Sequence, residues 1–259
     1  MDSSRDEPVA RQVRDRCELE QALRLVHDNY VRRGYMGPEP SGIRLSVFYA
    51  LPNTRTFVAV LRGEVVATMS LFCDSPLGLP ADKLYREEIC RLRGQGHRVG
   101  EVGMLADRRR SLGRSMPVLL QIMKVVFHAI RETELSDVVI TVHPKHAGFY
   151  TRLLGFFERY GPEKTYREVG GAPAVLLHYD VIGVKPEHFR RESTAKLFYS
   201  PLPEGAEFQG DYRMRAEDLP YFFLERTDVL RQVDRETLSV IESQYPGLKL
   251  ELAEEATVG

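Results

Sequence analysis

The strongest constraint on the fold is a pair of β-rich runs, residues 56–61 and 65–72, on either side of Arg62-Gly63-Glu64. A short Gly-bearing turn between two such runs signals a hairpin. Farther along, a strand at 98–105, an apolar helix at 115–133 and a fully apolar strand at 138–142 follow one another. Strand, helix, strand in that order is a crossover, and crossovers join parallel neighbours. The chain therefore commits to a mixed sheet, and ligands tend to bind where the strand order of such a sheet changes.

Around this centre the periodicity predicts a helix over 18–33. Its Leu19, Ala22, Leu23, Val26 and Tyr30 recur at spacings of three and four. Gly34 and Gly37-Pro38-Glu39-Pro40 end it. A short strand is expected at 45–51, a helix at 81–92, a short helix at 147–154 closed by Gly155, and a last strand at 174–181. The expected class is α/β, a mixed sheet of six or seven strands flanked by helices. Residues 1–17 hold no apolar run and read as a solvated, frayed arm. Residues 18–183 form the main domain. Residues 184–259, with ten basic and fifteen acidic side chains, read as a mainly helical extension with helices near 186–199 and 216–243.

Counts exclude several classes. The 259 residues carry 36 basic and 37 acidic side chains, which argues against a generally cationic nucleic-acid binder. Cys17, Cys73 and Cys90 show no CxxC or CxxH spacing, which fits a reducing compartment rather than a disulfide scaffold. The most apolar stretch, 117–130, is broken by Gln121, Lys124 and His128 and falls short of the ~20 residues a membrane span needs. No leader is visible at the start. A cytoplasmic domain is expected.

One segment carries a resemblance. His143-Pro144-Lys145-His146-Ala147-Gly148-Phe149-Tyr150-Thr151-Arg152-Leu153-Leu154-Gly155-Phe156 resembles the strand–helix–LGF segment of the GCN5-related N-acyltransferases (GNAT fold). Arg110-Ser111-Leu112-Gly113-Arg114-Ser115 resembles their phosphate loop, departing from it at Ser115, where Gly or Ala is usual. A narrower similarity is to the N-acyl amino acid synthase, FeeM-like branch, and more distantly to acyl-homoserine-lactone synthases. It rests on Tyr30 with Gly34-Tyr35, Leu79-Pro80-Ala81-Asp82, Glu87 and Glu88 with Leu92-Arg93, residues 98–102 and the His143-Pro144-Lys145-His146 run, and it covers roughly 18–182. The resemblance implies a GNAT-type fold and acyl transfer from acyl carrier protein to an amino acid amine. It implies no tightly bound cofactor, the acyl-phosphopantetheine of acyl-ACP or acyl-CoA being a co-substrate.

Two readings stand for each candidate residue. Glu101 lies on a mostly apolar strand face with Val99, Gly103 and Leu105, where a lone carboxylate is costly. It is either the general base for the amine or an ion-pair partner of an arginine. Tyr150 is either the acid that protonates the leaving thiolate, as the resemblance implies, or helix packing with Phe149. His143 and His146 line the donor or acceptor site or sit at a helix start. Pro144 and the lack of further ligands nearby argue against a metal. Residues 86–114 hold eight arginines and four acids, a net of +4. There Arg108, Arg109, Arg110 and Arg114, with Gly113, either dock an acidic carrier protein and its phosphodiester or form a solvated basic loop. Tyr30, Tyr35, Phe72 and Met104 are candidates for the acceptor or acyl pocket and are equally good core residues.

The expected function is N-acyl amino acid synthesis from a carrier-bound acyl chain. Two alternatives stay open: a coenzyme A-dependent acetyl- or acyltransferase acting on a small amine, and a binding module that kept the fold without catalysis.

Overall fold

The computed structural model describes residues 7–108, 112–206 and 212–250. In chain order the first elements are β1 (Val9–Gln12), α1 (Arg16–Arg32), β2 (Arg55–Leu61), β3 (Glu64–Cys73), α2 (Asp82–Gly94), β4 (Val99–Asp107) and α3 (Leu112–Arg131). There follow β5 (Asp137–Val142), α4 (Pro144–Gly148) running into a π-helical turn (Phe149–Leu154), β6 (Glu158–Arg159), β7 (Lys164–Tyr166) and β8 (Ala172–Asp180). The chain ends in α5 (Glu192–Tyr199), α6 (Asp218–Pro220) and α7 (Arg235–Ser243).

The sheet has eight strands in the order β1-β2-β3-β4-β5-β8-β6, with β7 also on β8. Its pairs are antiparallel except β4 with β5, the crossover pair. This is the α/β architecture read from the hairpin and the crossover. One apolar core lies on the face covered by α1 and α2, the other beneath α3. Helix α1 starts where Asp15 accepts the Glu18 N–H at 2.8 Å, a side-chain N-cap.

Three expectations are corrected. The arm read as frayed contains β1, paired with β2. Arg11 holds it in place, donating to both oxygens of Glu18 at 2.7 and 2.6 Å. Residues 45–51 are not a strand: Val47–Ala50 is a 3-10 turn, its backbone bonds local, with the Tyr49 N–H donating to the Ser46 carbonyl at 3.0 Å and the Leu51 N–H to that of Phe48 at 3.3 Å. The single helix expected over 216–243 is broken into α6, a π turn, a 3-10 turn and α7, and Asp234 caps the last through the Thr237 N–H. The extra strands beyond six or seven include β6 and β7, two and three residues long, too short for a periodicity to show.

Residues after 183 lie on both layers. Val184, Phe189, Ala195 and Phe198 belong to the core beneath α3, and Tyr212, Phe222, Phe223 and Ile241 to the other.

Candidate active site

β4 and β5 are paired over only three residues, Val99–Asp137, Gly100–Val138 and Glu101–Val139. Beyond these the strands part. β4 continues along β3 to Asp107, and β5 along β8 to Val142. A bulge in β4 marks the parting: Met104 and Leu105 together oppose Met69, and Met104 sits at a φ of 54°. That left-handed conformation is costly for a residue with a side chain, and such strain collects at functional sites. The bulge also inverts the alternation. Val99 and Gly103 share the α1 face with Glu101, as the sequence predicts, whereas Leu105 turns to the α3 side.

Where the strands part there is a cavity of about 440 Å³, within the size range of small-molecule sites. Asn29, Tyr30, Arg33, Tyr35 and Met104 line it from the α1 side. Met69, Leu105, Met123, Phe127 and Ile130 line it from the α3 side. His143, His146, Phe149 and Tyr150, which follow β5, complete the wall. The cavity therefore passes through the sheet, polar residues toward one layer and an apolar bay toward the other.

Glu101 stands just behind this wall. Its side chain is 6% exposed and faces α2, whose start delivers the Ala81 N–H to Oε2 at 2.7 Å. Its Oε1 is 3.9 Å from where a Cβ on Gly103 would project, and Gly103 lines the cavity. Burial pushes the carboxyl up to about 8, with Asp82 adding to the rise and the Ala81 N–H opposing it. The Leu79-Pro80-Ala81-Asp82 turn is itself tied by the Leu79 N–H to Asp82 at 2.7 Å, and Asp82 by Arg93.

Tyr150 lies in the π-helical turn, edge-on to Phe149 and Phe157, and burial pushes its phenol up to about 12. His143 caps α4, its Nδ1 accepting the Lys145 N–H at 3.2 Å. Its ring is 6.2 Å from that of His146. Burial, then the charges of Lys145, Arg33 and His143, hold His146 below the usual imidazole range. Tyr30 packs edge-on against Tyr35 at 5.6 Å beneath the Arg44 guanidinium. Thr141 Oγ1 and the Tyr179 hydroxyl, on cavity-lining residues, are buried with no hydrogen-bond partner among the described residues.

Phe72 is not on this wall. It is buried against Phe48 and Tyr49, ring centroids 6.2 and 5.3 Å away, and is a core residue. Arg109 and Arg110 lie outside the described residues. Gly113 and Arg114 fall in the first turn of α3. Arg108, just after β4, is paired with Glu64 at the start of the neighbouring β3 and is largely exposed. Asp107 and Met116, which lie on either side of this basic segment in the sequence, both line the cavity. Arg93, counted in the basic run, is occupied by Asp74 and Asp82. Sequence reasoning missed Arg33, hidden as the last residue before a helix-ending glycine. It also missed the role of Gly103, although a glycine inside a strand is itself a sign of close approach.

Solved structures share this fold. FeeM, an N-acyl amino acid synthase from uncultured soil microbes, is similar at 30% identity over 68% of this chain and 92% of that one, with a TM-score of 0.59. BjaI, a CoA-dependent acyl-homoserine lactone synthase solved with SAM and isopentyl-CoA, shares the fold at 16% identity, 80% and 94% coverage and a TM-score of 0.55. The acyl-homoserine lactone synthase LasI does so at 15%, 76% and 98%, with 0.56. No curated protein matches the chain. The chain is an N-acyltransferase. Residues 21–180 match the model of the N-acyl amino acid synthase FeeM family, and the chain belongs to that family.

Proposed function

We propose that this enzyme moves a long acyl chain from the phosphopantetheine thioester of acyl carrier protein to the amine of an amino acid. The observation that carries the reading is the cavity through the sheet: apolar beneath α3, and flanked by Arg33, the histidines and Glu101 toward α1. The thioester carbonyl would sit where β4 and β5 part, its chain in the apolar bay and the amine on the Glu101 side. Peptide N–H groups on strand edges no longer paired with each other would polarise its oxygen.

The amine nitrogen attacks the carbonyl carbon, the N–C bond forms and the C–S bond breaks. Glu101 takes the proton leaving nitrogen, directly or through a water; its raised value suits a base working near neutrality. Full proton transfer from Tyr150 to a thiolate, whose acid has a pKa of ~8.5, would run uphill. Tyr150 therefore acts as a hydrogen-bond donor to the departing sulfur, which solvent then protonates. Arg33, which lines the cavity, would pair with the acceptor's carboxylate.

The net charge of +4 over residues 86–114 supports a carrier-protein donor, since carriers are acidic and opposite charge speeds encounter. No helix of the described residues is long and apolar enough to cross a membrane. The three cysteines are free, which supports a cytoplasmic setting.

The test is mass spectrometry of products formed from acyl carrier protein and coenzyme A thioesters with a mixture of amino acids. An N-acyl amino acid formed at least ~10-fold more efficiently from the carrier is expected. Product from coenzyme A thioesters alone would overturn the carrier reading. Arg33→Ala should raise the acceptor KM ~10-fold with kcat little changed, the loss of one charge-assisted hydrogen bond.

A further inference from the structure

The far end of the cavity is not built by the family core alone. Along α3 the lining residues run from Met116 to Ile130, roughly 21 Å at 1.5 Å per residue. Toward the Ile130 end three rings meet. Phe127 comes from α3, Phe156 from the turn after Gly155, and Phe198 from α5, which lies beyond the residues matched by the family model. The Phe198 ring is 5.4 Å from Phe127 and 5.9 Å from Phe156, and the residue is 1% exposed.

α5 is fastened there by specific contacts. The polar residues that interrupt the apolar run of α3 provide them: Lys124 Nζ donates to Ser200 Oγ at 2.8 Å and to the Pro201 carbonyl at 2.7 Å, and His128 Nε2 meets the Phe198 carbonyl at 2.8 Å. The Tyr199 hydroxyl donates to the Val184 carbonyl at 2.9 Å. Gly155 adds a further fit. At a φ of 92°, any Cβ there would stand 2.7 Å from the Arg190 nitrogen, so only glycine lets the extension pass so close.

We infer that Phe198 is the end-stop of the acyl bay, and that the extension sets acyl-chain length by presenting this one ring. The inference rests on the acyl-transfer reading above and deepens it. Each methylene that finds room in the bay should raise donor affinity ~4-fold, and the first that does not should gain nothing. The stop is an aromatic ring held between two others, so its position is fixed rather than adaptable.

The test is equilibrium binding of saturated S-alkanoyl pantetheines, from short to long, to the full chain and to Phe198→Ala, Phe198→Leu and Phe198→Trp. The unmodified chain should show rising affinity up to a cut-off length. Phe198→Ala should move the cut-off two or more carbons longer, Phe198→Leu by a smaller step, and Phe198→Trp to shorter chains. Should Phe198→Ala not fold, the leucine and tryptophan variants carry the test through the opposite signs of their shifts. An unmoved cut-off in folded variants would overturn the end-stop while leaving acyl transfer standing. No affinity of the unmodified chain for any chain length would overturn the acyl reading, and the end-stop with it.

Discussion

Glu101 accepts the Ala81 N–H through Oε2 at 2.7 Å, which fixes the carboxyl against the first turn of α2 and leaves Oε1 on the side of Gly103. The strand supplies the residue, the helix start orients it, and the absence of a side chain two residues on leaves it a way to the cavity. The positive end of the α2 dipole favours the carboxylate, and burial wins against it, so the group titrates near neutrality rather than near 4.5.

A base with a value of about 8 is mostly protonated at pH 7, so kcat/KM should climb as pH rises through that value. Glu101→Gln should lower kcat by ~10²-fold or more and remove this inflection, leaving the acceptor amine's own titration. Rate profiles of both proteins with one acceptor check it. Stability should move the opposite way. The folded state holds the proton between about 4.5 and 8 while the unfolded chain releases it, so Glu101 weakens the fold as pH rises through that window. Glu101→Gln should therefore flatten the loss of Tm over that range.

Gly103→Ala separates access from fold. The new methyl would rest 3.8 Å from Phe72 Cε2 and 3.9 Å from Glu101 Oε1, ordinary contact distances, and the backbone there is not left-handed. Thermal stability should stay close to that of the unmodified chain. Turnover should fall ~10-fold or more, because the methyl stands between amine and carboxylate. Calorimetry with steady-state kinetics reads both.

Asp137 tests the paired end of the sheet. It is 2% exposed and accepts from His178 at 2.6 Å and Ser136 at 2.6 Å, with His97 at 2.5 Å. Burial pushes it up, and the hydrogen bonds from Ser136, His178 and His97 more than reverse that, leaving it below its usual value. Its contribution is thus present above the unfolded pKa and lost as pH falls through the folded one. Asp137→Ala should cost ~3 kcal/mol, the scale for breaking a buried pair. The chain-length cut-off should not move, since Asp137 lines no part of the cavity. Denaturant melts and the thioester binding series check the two halves.

The hairpin, the crossover and α1 were legible because each carries its own period, and Glu101, Tyr150, His143, His146, Tyr30, Tyr35 and Met104 all fall at or beside the one cavity. What was illegible depends on partners distant in sequence or on backbone shape. β1 is a strand only because β2 pairs with it, Val9 opposite Val60. Phe72 and Met104 are both apolar residues on neighbouring strands, and only the bulge decides that Met104 meets the cavity while Phe72 stays in the core. The end of the bay needed α5 folded back onto Lys124 and His128, two residues that in the linear chain only interrupt an apolar run.

The two-against-one count at Met104 and Leu105 gives β4 an unequal tolerance of change. A substitution at either position alters one wall of the cavity. Deleting either residue would restore plain pairing with β3 and undo the extra step in the strand. Faces would not change: Gly103 opposes Ser70 and Ala106 opposes Thr68, two residues of one face, so Ala106 and Asp107 would stand as they do now. What would go is the kink at Met104, where β4 turns away from β5. In this strand, length is inherited more strictly than identity: a lineage can exchange Met104 for another side chain, but losing one codon there removes the bend that parts the two strands.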